Sequence, residues 1–366
     1  MSDKNKNSEK NLKIPMLISI SLSITVILII LFFTLDAETI QTLKKSEIKY
    51  EFLFIAIILQ TLYWLVWGGR LQILSNAIDK NLKIGFLNST KTVLANLFLA
   101  SVTPSMAGGE PVRIYLLNKE GMSTGSATGA VLGERLLDAI FMLCSVPFAF
   151  FIFQKNINSN ELQIGLTIGV AFFFLLLILF LYALKRPDKM KSFLVWINSK
   201  ISRFFKKKDK ESKVIERINR EVDNFHDSMT CFVKKERKTF LIAGFLTIIF
   251  WFTGFLIPSM ILMGLGLPPY FIESIAAQIL LLVIIMMPTT PGSTGVAELS
   301  VVGLYGVLIG TGSGSPIGVF MLLVRLVPFY LPFIVGAIFQ YRVFKAVLSF
   351  SMDKIRDVES EVDYKP

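Results

Sequence analysis

The chain has 366 residues, 53% hydrophobic and 12% aromatic, with a mean hydropathy of +0.61. Apolar runs of about twenty residues recur along it, the length that crosses a bilayer as a helix, which excludes a soluble globule. The net charge of +11 does not point to nucleic acid, because the basic residues lie between and beside the apolar runs, as the positive-inside rule distributes them. Cys144 sits in an apolar run and Cys231 in a basic loop, so no disulfide is expected; the single histidine, His226, leaves no His-based metal or nucleophile site, and no cofactor is expected.

In chain order, residues 1–50 hold a polar tail, a first span over Met16–Leu35 and an outside loop. The span is read as retained, since no small-residue cleavage site follows it. The first membrane half covers 51–184. It opens with Phe52–Gly69, where Tyr63, Trp64 and Trp67 sit like interface anchors, and Arg70, Lys80 and Lys83 then mark the cytoplasmic side. A broken segment at 85–118 follows: an apolar arm Gly85–Val102, a stop at Pro104, and a short helix Gly109–Leu117 with Pro111 in its first turn, where a missing N–H does no harm. Ala127–Phe153 and Gln163–Leu184 complete this half. Residues 185–238 form a basic cytoplasmic insert whose apolar residues recur at helical spacing, either as two helices packed under the membrane or as a lipid or partner surface. The second half, 239–345, has a span at Thr239–Leu265, a broken segment at 271–309 interrupted by Pro288–Gly295, and a last span at Ile317–Phe339 with Pro328 and Pro332. A polar tail, 346–366, ends the chain.

The fold class is therefore an all-α polytopic membrane protein. About six full spans are expected, plus two re-entrant broken-helix hairpins, or eight to ten spans if the hairpins cross fully. Thr103-Pro104 reappears as Thr290-Pro291 and Arg135-Leu136 as Arg325-Leu326, offsets of 187 and 190 residues. The Arg325 span is the third after the Arg135 span if both broken segments are re-entrant, and the fifth if the second crosses fully; both are odd, so the halves are antiparallel copies, an inverted repeat. Both termini fall on the cytoplasmic side, and the first hairpin enters from inside, the second from outside.

Backbone broken by Pro and Gly at membrane depth survives only where it lines a protein cavity, since lipid cannot satisfy its free N–H and C=O groups. Half-helices that start there point N–H donors and a positive dipole end inward, which suits an anion. Gly108 and Gly109 allow close approach at the first tip; Ser293, Thr294 and Gly295 do so at the second, with two hydroxyls. Arg113, Arg135 and Arg325 supply guanidinium donors suited to phosphate. Glu110, Glu134, Asp138 and Glu298 pair with these arginines or carry protons. The blander readings are that Glu110 and Glu298 only favour the positive helix start, that Arg135 with Glu134 and Asp138 is a structural cluster at the cytoplasmic interface, and that Lys91 snorkels.

The runs Ser101-Val102-Thr103-Pro104 with Gly108-Gly109-Glu110-Pro111-Val112-Arg113, then Gly133-Glu134-Arg135-Leu136-Leu137-Asp138, then Pro291-Gly292-Ser293-Thr294-Gly295 with Glu298, resemble the lysylphosphatidylglycerol synthase transmembrane region family over about residues 15–345. That family includes the flippase half of the multiple peptide resistance factor, and the resemblance implies movement of lipids such as lysyl-phosphatidylglycerol between leaflets. The soluble aminoacyl-transfer domain of that factor has no counterpart here, so synthase activity is not expected. The expectation is a cell-membrane flippase or scramblase, not an enzyme, that passes an anionic phospholipid or a polyprenyl-phosphate-linked lipid through the cavity between the hairpins. Its partners would be membrane lipids and a separate lipid-modifying enzyme. An ion-coupled small-solute transporter, or a membrane enzyme acting on lipid-linked substrates, is the alternative.

Overall fold

The computed structural model describes residues 48–102 except 81, 109–153, 236–285, 293, and 295–339 except 313 and 337, with scattered positions between 164 and 232. The expected span at 16–35, most of the one at 163–184, the two tips at 103–108 and 286–292, Thr294 and both tails lie outside these residues. All described regular structure is helical. In order, the helices are α1 (Tyr50–Ile78), α2 (Phe86–Val102), α3 (Gly109–Lys119), α4 (Thr124–Phe153), α5 (Arg237–Gly264), α6 (Phe271–Ile285), α7 (Val296–Ile309) and α8 (Ile317–Gly336).

Four of them, α1, α4, α5 and α8, are long and apolar enough to cross a membrane. The other four are not. At about 1.5 Å per residue, the 11 residues of α3 and the 14 of α7 reach only half to two-thirds of a ~30 Å hydrocarbon core. The chain thus repeats one unit twice, long–short–short–long, first as α1–α4 and then as α5–α8. Within the described residues, none of the short helices reaches the length of the four long ones, the pattern of two hairpins.

Contacts between α1 and α5 fix the relative direction of the two units. Lys49 N donates to Gly264 O at 2.9 Å. Leu53 fills the space beside Gly264, and Tyr63 that beside Gly254. The Tyr63 ring stacks on Phe250 at 4.1 Å, Arg70 bonds Thr247, and Lys80 pairs with Glu236 at 2.6 Å. As one residue number rises the other falls by the same step, so α1 and α5 are antiparallel, as an inverted repeat requires. The Lys80 ammonium, hydrogen-bonded to Glu236, holds that carboxyl below the usual carboxylate range.

One end of the bundle is basic: Lys80, Lys83, Lys119, Arg237 and Lys238 are all exposed there. The first hairpin opens at this end, with Asn76 clamping both backbone groups of Ile84 and Asn88 bonding Glu120 across its mouth. The second hairpin opens at the other end, where α6 begins a few residues after Gly264. Its apolar core, with Phe255, Ile261, Leu280, Leu304 and Phe320, also takes in Val146 and Phe153 from α4. Within α8 the residues Leu326–Tyr330 form a wide π-helical turn, closed by Leu331 N to Leu326 O. Pro328 lacks the N–H that a regular ladder would use there, which accounts for the interruption.

The helices approach each other most closely at glycine. A β-carbon on Gly68 would stand 2.8 Å from the Thr90 backbone, and one on Gly109 would collide with Asn96. Gly68→Val is therefore expected to lower the melting temperature of the detergent-solubilised protein, since overpacking a tight contact costs about 1–3 kcal/mol. Gly85→Ala, with no atom within 4 Å of the added carbon, is expected to leave it unchanged.

Candidate functional site

The first unit contains a buried lattice of charge. Arg70, in the interior of α1, donates from Nε to Glu134 Oε1 at 3.1 Å, and from Nη1 to Asp138 Oδ1 at 2.6 Å and Thr247 Oγ1 at 3.2 Å. Its guanidinium lies 4.6 Å from the Phe250 ring centroid. Trp251 Nε1 donates to the same Asp138 oxygen at 3.1 Å. Arg113 of α3 donates from Nη1 to the second oxygen of Glu134 and lies 5.3 Å from the centre of the Trp67 ring. Glu134 and Asp138 reach this point together because four residues on a helix bring side chains onto one face. Four helices and both repeat units therefore meet in one ion-paired knot, within which Arg70 and Arg113 balance Glu134 and Asp138.

Two further ion pairs flank it. Arg135 Nε donates to Glu110 Oε1 at 2.7 Å, with a looser contact to Asp138 at 3.5 Å. In the second unit Arg325 Nε donates to Glu298 Oε1 at 2.9 Å, and Nη2 of the same arginine lies 2.8 Å from that oxygen. Each glutamate stands in the first turn of the short helix that follows a break, where the positive end of the helix dipole favours it. Each arginine stands in the next long helix. These are equivalent positions of the two units. Glu298 also accepts from Gly295 N at 2.7 Å, and Gly295 takes φ +86°, a left-handed turn that favours glycine.

The structure thus joins Glu110, Arg113, Glu134, Arg135 and Asp138 into one cluster, and Gly295, Glu298 and Arg325 into another. Gly109 is buried against Asn96. Ser293 is buried, with its hydroxyl donating to Ile285 O at 3.2 Å. Gly108 and Thr294 lie outside the described residues. Lys91 is exposed. The sequence reading missed Arg70. It placed a marker of the membrane edge at a residue that is 1% exposed, and it ended at Gly69 a helix that continues to Ile78. It also placed Trp64 and Trp67 at the interface, whereas both are buried. The missed signal was the helical spacing of Leu71, Leu74, Ala77 and Ile78 beyond the arginine, which prolongs the buried stripe.

Donors outnumber acceptors around Arg113. Its side chain is completely buried, yet among the described residues neither Nε nor Nη2 has a hydrogen-bond partner. The indole Nε1 of Trp67, the ring that Arg113 overlies, has none either. An uncompensated buried donor costs about 1–3 kcal/mol, and more when it belongs to a charged group. The open edge of Arg113 presents two parallel N–H groups, the fork that a carboxylate or phosphate fills.

Breaking the knot from one side strands a charge, which costs about 3–5 kcal/mol for a buried pair. Arg70→Met is therefore expected to destabilise the purified protein strongly in thermal unfolding. Asp138→Asn added to Arg70→Met is expected to cost much less than the two single substitutions combined, because the pair acts as a unit.

The sequence profile of the lysylphosphatidylglycerol synthase TM region matches residues 17–336. A UPF0104 membrane protein of Archaeoglobus fulgidus is 33% identical over 290 residues, which is 78% of this chain and 84% of that protein. The UPF0104 membrane protein MJ1595 of Methanocaldococcus jannaschii is 27% identical, over 79% and 83% of the two chains. A third, from Methanothermobacter thermautotrophicus, is 25% identical over 70% and 74%. No solved structure matches the chain. With the breaks, the charged knot and the paired glutamates all inside the matched span, this membrane protein belongs to the lysylphosphatidylglycerol synthase TM region family.

Proposed function

We propose that the protein moves an anionic lipid, a phospholipid or a polyprenyl-phosphate-linked lipid, between the leaflets of the cell membrane, through the space where the two hairpins converge. The observation that carries this reading is the free edge of Arg113. Among the described residues, this buried guanidinium is tethered by one nitrogen to Glu134, with Nε and Nη2 unpartnered beside the unpartnered Trp67 N–H, so the place presents donors alone. An oxyanion satisfies it and a neutral apolar group does not. The helix start at Gly109, with Thr294 at the second tip, would add donors, and Gly295 N and the Ser293 hydroxyl, now held by Glu298 and Ile285, would join them on changing partners.

The balance of charge suits a transporter better than a tight binder. Arg70 and Arg113 are already offset by Glu134 and Asp138, so an arriving phosphate meets aligned donors rather than excess positive charge, and it can leave again. Glu134 and Asp138 each accept from at least two donors and act as fixed counter-charges. Glu110 and Glu298, each beside a break, are the carboxylates placed to change partners during a cycle with Arg135 and Arg325. The family match and four membrane-length helices support a site inside the bilayer, and the basic end would face the cytoplasm with both termini. A separate lipid-modifying enzyme would supply the lipid, and the chain itself would perform no bond chemistry.

The test is reconstitution into vesicles that hold a head-group-labelled anionic phospholipid in one leaflet. The parent protein is expected to speed its appearance in the other leaflet, and Arg113→Gln is expected to reduce that rate roughly 10–100-fold, the loss of a charge-assisted fork worth about 1.5–3 kcal/mol. Arg113→Lys keeps the charge without the fork and is expected to fall between them. Equal rates in parent and Arg113→Gln, or a parent no faster than empty vesicles, would contradict the proposal. Uptake of a soluble anion by the same vesicles with no lipid movement would instead support the small-solute reading.

A further inference from the structure

The two equivalent ion pairs differ most in exposure. In the Glu110–Arg135 pair the side chains are 40% and 41% exposed, whereas in the Glu298–Arg325 pair they are 0% and 7% exposed. Bond lengths do not account for this, since the Nε to Oε1 contacts are 2.7 Å and 2.9 Å. Nor does composition, because each pair joins the first turn of a post-break helix to the following long helix. What differs is closure. At the second pair Arg325 is also covered by Phe329, 4.0 Å from its guanidinium, in the wide turn that Pro328 forces on α8. Two copies of one device, in hairpins that open at opposite ends, are thus caught in two conditions within one molecule.

We infer that Glu110–Arg135 and Glu298–Arg325 are the two gates of an alternating-access cycle, and that the structure is the state open at the basic end and sealed at the other. The inference rests on the transport reading only in taking the space between the hairpins as the path. Pseudo-symmetry supplies the second state. If the second unit takes the arrangement now seen in the first, and the first takes that of the second, the Glu298–Arg325 pair becomes half-exposed and Glu110–Arg135 becomes buried. A buried ion pair is stable only when both partners stay aligned, so each gate is a two-position element rather than a continuously opening one. The wide turn next to Arg325 gives α8 a place to bend as its gate opens.

Side-specific thiol labelling tests this without any lipid substrate. In full-length protein with Cys144→Ser and Cys231→Ser, Ser293→Cys places a thiol at the second break, at a position now 2% exposed. A membrane-impermeant sulfonated maleimide is applied to vesicles of either orientation. The reporter protein is expected to label slowly from both faces. Adding Arg325→Gln, which leaves Glu298 in place to cap Gly295, is expected to raise labelling roughly tenfold, within the usual range of coupling between sites, and only from the face where the second hairpin opens. Arg325→Lys is expected to restore most of the protection, and Arg135→Gln to leave the reporter slow. If Arg325→Gln does not reach the membrane, Glu298→Gln is compared in its place. Labelling that stays slow when the pair is broken, rises equally from both faces, or rises as much with Arg135→Gln would overturn the inference. A side-specific rise in a protein that moves no lipid would uphold the gates and reject the lipid.

Discussion

Arg70 clasps two carboxylates of α4 and a hydroxyl of α5 from the interior of α1, and the remaining architecture depends on that clasp. A guanidinium alone at this depth would be ruinous, and so would Glu134 or Asp138 alone. Together they cancel, and the condition for cancelling is that α1, α4 and α5 stay in register. Glu134 then has one oxygen left, which holds Arg113 by a single nitrogen. The site is a consequence of the scaffold's own charge balance: among the described residues two donors remain on Arg113 because Glu134 is already shared.

Duplication explains why the polar apparatus is lopsided. The Glu–Arg pair is present in both units, so it belongs to whatever both units do. The knot is not duplicated. Carrying the offset between Glu110 and Glu298 onto Arg113 lands on Val301, and carrying that between Arg135 and Arg325 onto Glu134 and Asp138 lands on Val324 and Pro328. Val301 and Val324 are buried apolar residues. In the second unit Glu298 is held by Arg325 and Gly295 N, and the buried hydroxyl of Tyr305 is tied off by Ser274 and Gln278. One unit therefore holds four ionised groups in a knot, while the other carries the Glu298–Arg325 pair alone at the equivalent place.

Much of this was legible in the sequence, because the signals were local or periodic. Pro104 with Gly109, and Pro291 with Gly295, marked the places where the described helices stop and restart. Thr-Pro and Arg-Leu recurring at offsets of 187 and 190 residues pointed to the duplication, and Glu134 with Asp138 had to share a helix face. Arg70 was illegible for a physical reason. Next to two glycines, and ahead of Lys80 and Lys83, a lone arginine reads as the edge of a membrane, since a snorkelling arginine and a buried one carry the same letter. The apolar spacing of Leu71, Leu74 and Ala77 beyond it hints at burial, but its partners, at 134, 138 and 247, are brought to it only in three dimensions. Trp67 was misplaced in the same way: an indole suits an interface and a cation equally well.

The central claim is that the free edge of Arg113 receives an oxyanion belonging to a lipid. A density map of the protein in lipid nanodiscs tests it most directly. A tetrahedral feature is expected within hydrogen-bonding distance, about 3 Å, of Arg113 Nε and Nη2, with acyl density leading from it between helices to the bilayer. A map in which both nitrogens are taken up by protein acceptors from residues 103–108 or 286–292, with no lateral opening beside them, would contradict it.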